Sequence, residues 1–259
     1  PLTQGNLARW TGVAGMQVVG PGDGFLSCRW VGPGRMAEPE DIVEAAAIVR
    51  TPKDLTGVRL VITAGPTYEP IDPVRFLGNR SSGKQGVALA IAARRRGAEP
   101  VLVLGPSGLP DPVGVTTIRV ESAGQMQEQL LPLVAAADVL VMAAAVADFR
   151  PADVAAKKLK RRELDAQPAV RLVANPDILA GIGKARRGAR PLLVGFAAET
   201  HDVIAYAQRK RSEKRVDLIV ANDVSNPELG FATDDNRISL VDAAGVRDLP
   251  RAGKDELAH

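Results

Sequence analysis

From Val58 onward, short apolar runs alternate with longer amphipathic ones, and this alternation limits the fold more than any other feature. Runs over 58–63, 100–104, 115–120, 139–145, 192–196 and 218–221 read as strands. Between them, 81–96, 123–137 and 201–214 carry apolar residues at helical spacing. In the first of these helices Val87, Ala88, Ile91 and Ala92 share a face. Arg94, Arg95 and Arg96 suit the C-terminal end of its dipole, and Gly97 stops it. A weaker strand at 169–173 precedes a helix that opens at Asn175-Pro176, which suit N-cap and first helical position. Two last runs, 237–241 and 246–249, read as a small C-terminal β hairpin. Strands separated by helices lie mostly parallel, because a parallel return needs a long crossover. Such a sheet is covered by helices on both faces, so the expected class is α/β. Ligands then gather beyond the carboxyl ends of the strands.

Residues 1–50 follow a different pattern. They are glycine-rich over 12–34, with Pro21-Gly22-Asp23-Gly24 and Gly32-Pro33-Gly34 as turns. Glu38-Pro39-Glu40-Asp41 starts a short helix over 42–49, and Thr51-Pro52-Lys53-Asp54 reads as a linker. The expected organisation is a first domain over 1–50 and a second over 51–259. The start, Pro-Leu-Thr-Gln-Gly, has neither Met nor a leader pattern and reads as part of a longer polypeptide.

Composition narrows the chemistry. At 46% apolar and 24% charged, 259 residues can bury a sizeable core. Aromatics at 3% and a net charge of +3 argue against a nucleic-acid partner. One cysteine, Cys28, and two histidines exclude an internal disulfide and a Cys/His metal cluster, and leave little room for a His-based triad. No apolar run approaches the roughly 18 residues of a membrane span, so no membrane is expected and the cytoplasm is the default location. Carboxylates, lysines, amides and backbone groups must do the work.

The strand ends carry such groups. Thr63-Ala64-Gly65-Pro66-Thr67 is either an ordinary βα turn or a close approach to a phosphate. Gly78 to Lys84 fits the first seven positions of a phosphate loop, but Gln85 stands where Ser or Thr would hold Mg²⁺. Arg75, Asn79, Arg80 and Lys84 still make an anion site at a helix start, with a solvated loop capped by Ser81 or Ser82 as the alternative. Asp148 follows a buried strand and is either an N-cap or a carboxylate for a metal and nucleotide. The run Lys157-Lys158-Leu159-Lys160-Arg161-Arg162 comes next, either a solvated face or donors to a triphosphate. Phe196 is core or a wall against a base, and Lys210 and Lys214 share a helix face. Asn222-Asp223 is a further polar strand end. Together these suggest a nucleotide-triphosphate site that works by positioning and electrostatics.

The texts TAGPTYEPIDPVRFLGNRSSGKQG, AAAVADFRP, KKLKR, ANPDI, GFAAET and RKRSEK with VDLIVANDV resemble the ligase half of the bacterial bifunctional phosphopantothenoylcysteine decarboxylase/phosphopantothenate–cysteine ligases. The resemblance covers about residues 55–250. It implies a Rossmann-like sheet and a role in coenzyme A biosynthesis. CTP with Mg²⁺ would activate 4′-phosphopantothenate as an acyl-cytidylate, and cysteine would displace CMP. By the same resemblance Asn79 and Lys158 are catalytic, Asn79 toward the acyl-cytidylate and Lys158 in the activation step. Arg75 and Asn79 bind substrate, and Asp148 meets the nucleotide and its cation. Met142, Ala144, Asn175, Pro176, Asp177, Ile178, Phe196, Lys210 and Lys214 complete the CTP site, with Lys158 and Asp148. The family implies a homodimer through 75–84 and a higher oligomer in the full-length protein.

Three points depart from the family pattern. Arg161 replaces the last Lys of K-x-K-K. Residues 1–40, with GPGRMAEPE, resemble the end of the decarboxylase half, whose FMN-binding start the chain does not contain. Cys28 matches that half's flap proton donor, but in Ser-Cys-Arg-Trp rather than Ala-Cys-Gly-Asp. A short-chain NAD(P) oxidoreductase is the first rival; Tyr206 and Lys210 have its spacing, but G-x-G-x-x-G is missing. A non-catalytic scaffold is the second.

Overall fold

The computed structural model describes residues 2–13, 15–160, 169–199, 201–223 and 233–259. The chain divides into two units, Pro1–Pro52 and Lys53–His259. In the first, helices Leu2–Thr11 and Pro39–Arg50 accompany an antiparallel ribbon of Gly22–Phe25 with Val31–Arg35. No described residue of this unit is buried. The second helix exceeds the expected 42–49 at its N-terminal side because Pro39 is tolerated in a first turn.

The second unit is built on one eight-stranded sheet. In chain order its strands are β1 (Arg59–Ala64), β2 (Glu99–Leu104), β3 (Thr116–Arg119), β4 (Val139–Met142), β5 (Leu192–Glu199), β6 (Leu218–Asp223), β7 (Ile238–Val241) and β8 (Val246–Asp248). Their spatial order is β8-β7-β6-β5-β4-β1-β2-β3. Strands β1 to β6 run parallel, as the alternation predicts. The C-terminal hairpin β7–β8 forms as expected and extends this sheet antiparallel beside β6. The order reverses between β1 and β4, and such a switch point opens a crevice at the carboxyl edge.

Both faces are covered. Leu60, Ile62 and Ala64 of β1 point to one side, where they meet Val87, Ala90 and Ala93 of α1 (Lys84–Arg95). Val61 points to the other. There Met126 and Leu130 of α2 (Ala123–Val134), Ile182 of α3 (Ile178–Ala185) and Ala207 of α4 (Val203–Lys214) pack on Leu140, Leu193 and Ile219. Each fully buried leucine contributes about 2 kcal/mol of transfer free energy.

Several boundaries differ from expectation. Helix α1 starts behind Gly83, which is left-handed at φ +80°. Ser81 and Ser82 lie ahead of it, and their hydroxyls accept the N–H groups of Gly83 and Lys84 at 3.4 Å each. The N-cap of α3 is Asp177, whose carboxylate accepts from Ala180 N, so Asn175 and Pro176 precede the helix rather than open it. Two antiparallel ribbons also arise: Tyr68–Pro70 with Phe76–Gly78, where no element is expected, and the unexpected Phe149–Pro151 with Leu172–Ala174, which is the weak strand expected over 169–173, shorter and shifted toward its C-terminal end.

Candidate active site

The site rests on two strand ends tied to each other. Thr63 and Thr67, both fully buried, accept the backbone N–H groups of Ala144 at 3.1 Å and Ala147 at 2.9 Å. Ala145 N donates to Gly65 O at 2.9 Å, and Pro66 pairs with Ala145 as an isolated bridge. Gly65 has φ +78°, and a Cβ there would lie 3.1 Å from Gly105 O. The small residues of Thr63-Ala64-Gly65-Pro66-Thr67 therefore let turns pack beneath the site. The cleft itself is lined by others.

That cleft has a volume of about 710 Å³ and lies at the carboxyl ends of β4, β5 and β6. Its walls are the segment 79–86, the turn 142–148, the start of α3, the end of β5 and one side of α4. The structure thus brings Asn79, Met142, Ala144, Asp148, Asn175, Pro176, Asp177, Ile178, Phe196, Lys210 and Lys214 to one concave surface. Five basic side chains line it (Arg80, Lys84, Lys210, Lys214 and Lys254), against three carboxylates (Asp148, Asp177 and Glu199). That excess suits a multiply charged anion.

Each wall residue is held by chemistry visible in the structure. Asn79 Nδ2 donates to the carbonyls of Ala145 at 3.3 Å and Val146 at 3.0 Å, so it grips the turn after β4. Asn175 brackets Asp148: its Nδ2 donates to Ala147 O at 2.8 Å and its backbone N to Asp148 O at 2.8 Å. Asp148 itself is exposed on the cleft. Phe196 is half-buried, packs on the sheet's core and lines the cleft. Lys210 Nζ donates to Phe196 O at 2.8 Å. Burial, and then the charge of Lys214, push the Lys210 ammonium below the ordinary lysine range. Lys214 pairs with Asp177 at 2.8 Å. Burial raises the Asp177 carboxyl, but the hydrogen bond from Lys214 and the Ala180 N–H outweigh it and leave it low.

Three expected site residues lie elsewhere. Arg75 is paired with Asp72 and does not line the cleft. Lys158 is exposed on a loop after Phe149–Pro151 and likewise stands outside. Cys28 is an exposed thiol in the first unit. Arg161, Arg162 and the side chain of Asp223 lie outside the described residues. Sequence reasoning missed Lys254, which is buried and lines the cleft, and Asn236, also buried there. Asn222, noted only as a polar strand end, has a buried Oδ1 with no hydrogen-bond partner among the described residues. Tyr206, the residue an oxidoreductase would use, meets His201 and Arg209 and is not a cleft residue.

A carboxylate facing a basic cleft can help hold Mg²⁺ on a nucleotide, because Mg²⁺ takes one or two carboxylates plus phosphate oxygens. Among the described residues no cluster of three His, Cys, Asp or Glu stands ready for a metal alone. Asp148 with a phosphate chain fits that donor set.

Residues 55–259 match the family model described as the DNA/pantothenate metabolism flavoprotein C-terminal domain. The chain is 45% identical over 256 residues to the coenzyme A biosynthesis bifunctional protein CoaBC of Vibrio vulnificus (strain CMCP6), covering 99% of this chain and 63% of that protein. With CoaBC of Escherichia coli (strain K12) it shares 44% over 245 residues, 94% of this chain and 60% of that one. It thus spans about three fifths of these relatives' length. Its fold is similar to a crystal structure of the C-terminal domain of a CoaBC, with TM-score 0.67 and 41% identity over 80% of this chain and 92% of that one. A flavoprotein structure from Streptococcus pneumoniae shares the fold at TM-score 0.66 and 21% identity, over 78% of this chain and 95% of that one. By sequence and by fold, the chain belongs to the DNA/pantothenate metabolism flavoprotein C-terminal domain family.

Proposed function

We propose that the second unit is a phosphopantothenate–cysteine ligase of coenzyme A biosynthesis. In the first step a carboxylate oxygen of 4′-phosphopantothenate attacks the α-phosphorus of CTP, and the bond to pyrophosphate breaks. In the second, the amine of cysteine attacks the acyl carbon, the bond to CMP breaks, and the amine's proton leaves to solvent. The observation that carries this reading is the basic cleft at the carboxyl edge, gathered from the positions of the family motifs.

Attack of one anion on another needs positive charge close by. Lys210 and Lys214 supply it from α4, and the backbone of 175–178 approaches the phosphates from the start of α3. Asp148 would hold Mg²⁺, which neutralises phosphate charge when bound. Met142 and Ala144 form the floor and Phe196 the wall for the base. Lys158, exposed on its loop outside the cleft, is assigned to the activation step, and Arg75 to the pantothenate side. Both N–H donors of Asn79 are taken by carbonyls, so its Oδ1 is the atom left to meet the amine of cysteine.

The first unit is the tail of a flavoprotein decarboxylase domain. With no buried residue among those described, it offers no enclosed cradle for FMN, and no decarboxylation step is assigned to it. Pairing into a homodimer is supported by Val74 and Phe76, apolar and exposed on the ribbon next to Arg75. Higher assembly belongs to the full-length protein. Cytoplasmic location is part of the proposal; no helix among the described residues is long and apolar enough to cross a membrane.

The test is pyrophosphate release from CTP, Mg²⁺ and phosphopantothenate, with cysteine added second. Release before cysteine and CMP after it are expected; NADPH binding in place of CTP binding, or no release with CTP or ATP, would overturn the reading. Lys158→Gln should reduce pyrophosphate release by about a hundredfold, as loss of a transition-state charge contact does. Asn79→Asp sets a carboxylate oxygen against the carbonyls of Ala145 and Val146, which displaces Oδ1 from the amine of cysteine, so the intermediate should accumulate. Normal consumption of the intermediate would refute the Asn79 role.

A further inference from the structure

We infer that Asp72 is a positioning residue for the lysine run 157–160, gripping the peptide of Leu159 so that Lys158 projects from a fixed point. The inference rests on the proposed role of Lys158 in activation. The Asp72 side chain is wholly buried, and its two oxygens do separate jobs. Oδ1 accepts from Val74 N at 2.8 Å and Arg75 N at 2.9 Å, which closes the local turn. Oδ2 accepts from Arg75 Nε at 2.9 Å and Nη2, and from Leu159 N at 3.1 Å. Arg75 Nη2 also donates to Leu159 O at 2.7 Å. The Leu159 residue is therefore held at its N–H by a carboxylate and at its C=O by a guanidinium. Ala155 N donating to Ile71 O at 3.0 Å tethers the same loop again.

A turn alone needs only Oδ1. The second oxygen, with the arginine it orients, is spent on a loop remote in sequence that carries no strand or helix over 152–160. A lysine stem is flexible, so the reach of its ammonium depends on how firmly its backbone is held. This also gives Arg75 a task it can perform from outside the cleft.

Asp72→Asn tests the division of labour. It keeps an acceptor for the turn and places an amide donor against Leu159 N–H and Arg75. The expected result is pyrophosphate release slowed about 10- to 100-fold, the cost of an ångström-scale misplacement. Consumption of preformed intermediate by cysteine should be unchanged, and hydrogen exchange at the Leu159 amide should quicken. In a Lys158→Gln background the same change should slow nothing further. Equal slowing of both half-reactions, full additivity with Lys158→Gln, or unchanged exchange at Leu159 would overturn the inference. If Asp72→Asn does not fold, Leu159→Pro removes the loop's N–H donor, and stiffens the backbone at 158–159, while leaving the turn at 72–75 intact; it should give the same selective loss, and normal release would then refute the inference. Normal release by Lys158→Gln itself would instead sink the role of that lysine, while exchange at Leu159 still reports whether Asp72 anchors the loop.

Discussion

Two helices of equal length show how differently the two units are made. Pro39–Arg50 and Lys84–Arg95 each span 12 residues and each carry arginine in the last turn. The first has no buried residue, and Val43 and Val49 face solvent. The second buries six, from Gly86 to Ala93. Local signals are adequate in both. What differs is a partner: β1 and β2 offer α1 an apolar face, whereas the strands among the described residues of the first unit form a short, glycine-rich ribbon. Helical propensity sets an element, and burial decides whether it is anchored.

The largest expected contrast is in stability. Leu140→Ala, in the fully buried core, should cost about 2–5 kcal/mol in urea unfolding. Val43→Ala, on the exposed helix, should stay within about 0.5 kcal/mol of the parent. Equal costs would break the comparison. Next come two glycines of opposite sign. A Cβ on Gly86 would lie 2.4 Å from Ala64 Cβ, so Gly86→Ala should lose about 1–3 kcal/mol by forcing α1 off β1. Gly5, in the helix Leu2–Thr11, has open space, and Gly5→Ala should raise helix stability by about 0.5–1 kcal/mol. A gain at Gly86 in a melting series would count against close packing there.

The smallest effect concerns pH at the cleft. Lys210 loses its proton below the ordinary lysine range because it is buried and faces Lys214. Affinity for CTP should therefore weaken as pH rises through that lowered value, by up to about tenfold for one charged hydrogen bond. Lys210→Met should flatten this part of the profile in titration calorimetry. The stability sign is opposite: the unfolded chain binds the extra proton across that window, so the parent gains stability as pH rises through it. A profile identical in parent and variant would show that Lys210 does not meet the anion.

The sheet was legible because apolar runs recur six times before the hairpin, most of them with amphipathic helices between, and such alternation calls for a mostly parallel sheet covered by helices. Element ends were less so. Gly83 and Asp177 start their helices because of how α1 seats on β1 and how Asp177 finds Ala180 and Lys214. Tyr68–Pro70, Phe76–Gly78 and Phe149–Pro151 are three-residue strands, too short to show a period, whereas the weak strand expected over 169–173 is met at Leu172–Ala174. In the site, strand-end residues and the α4 lysines could be read from spacing. Thr63, Thr67 and Asp72 could not, since their partners lie 81, 80 and 87 residues away. Lys254 and Asn236 come from a stretch with no motif that points to a nucleotide site, and reach the cleft through the fold.

The hairpin at one end of the sheet bears on self-association. A long parallel strand left at an edge would offer a row of unpaired backbone groups to another molecule. Here β6 is covered by β7, and the outermost strand, β8, is three residues long and carries Arg247 and Asp248. At the opposite edge β3 has four residues and ends in Arg119, which pairs with Asp111 at 2.7 Å. Short, charged margins give the chain little to template a fibre with, so its apolar strands can be long where they are interior.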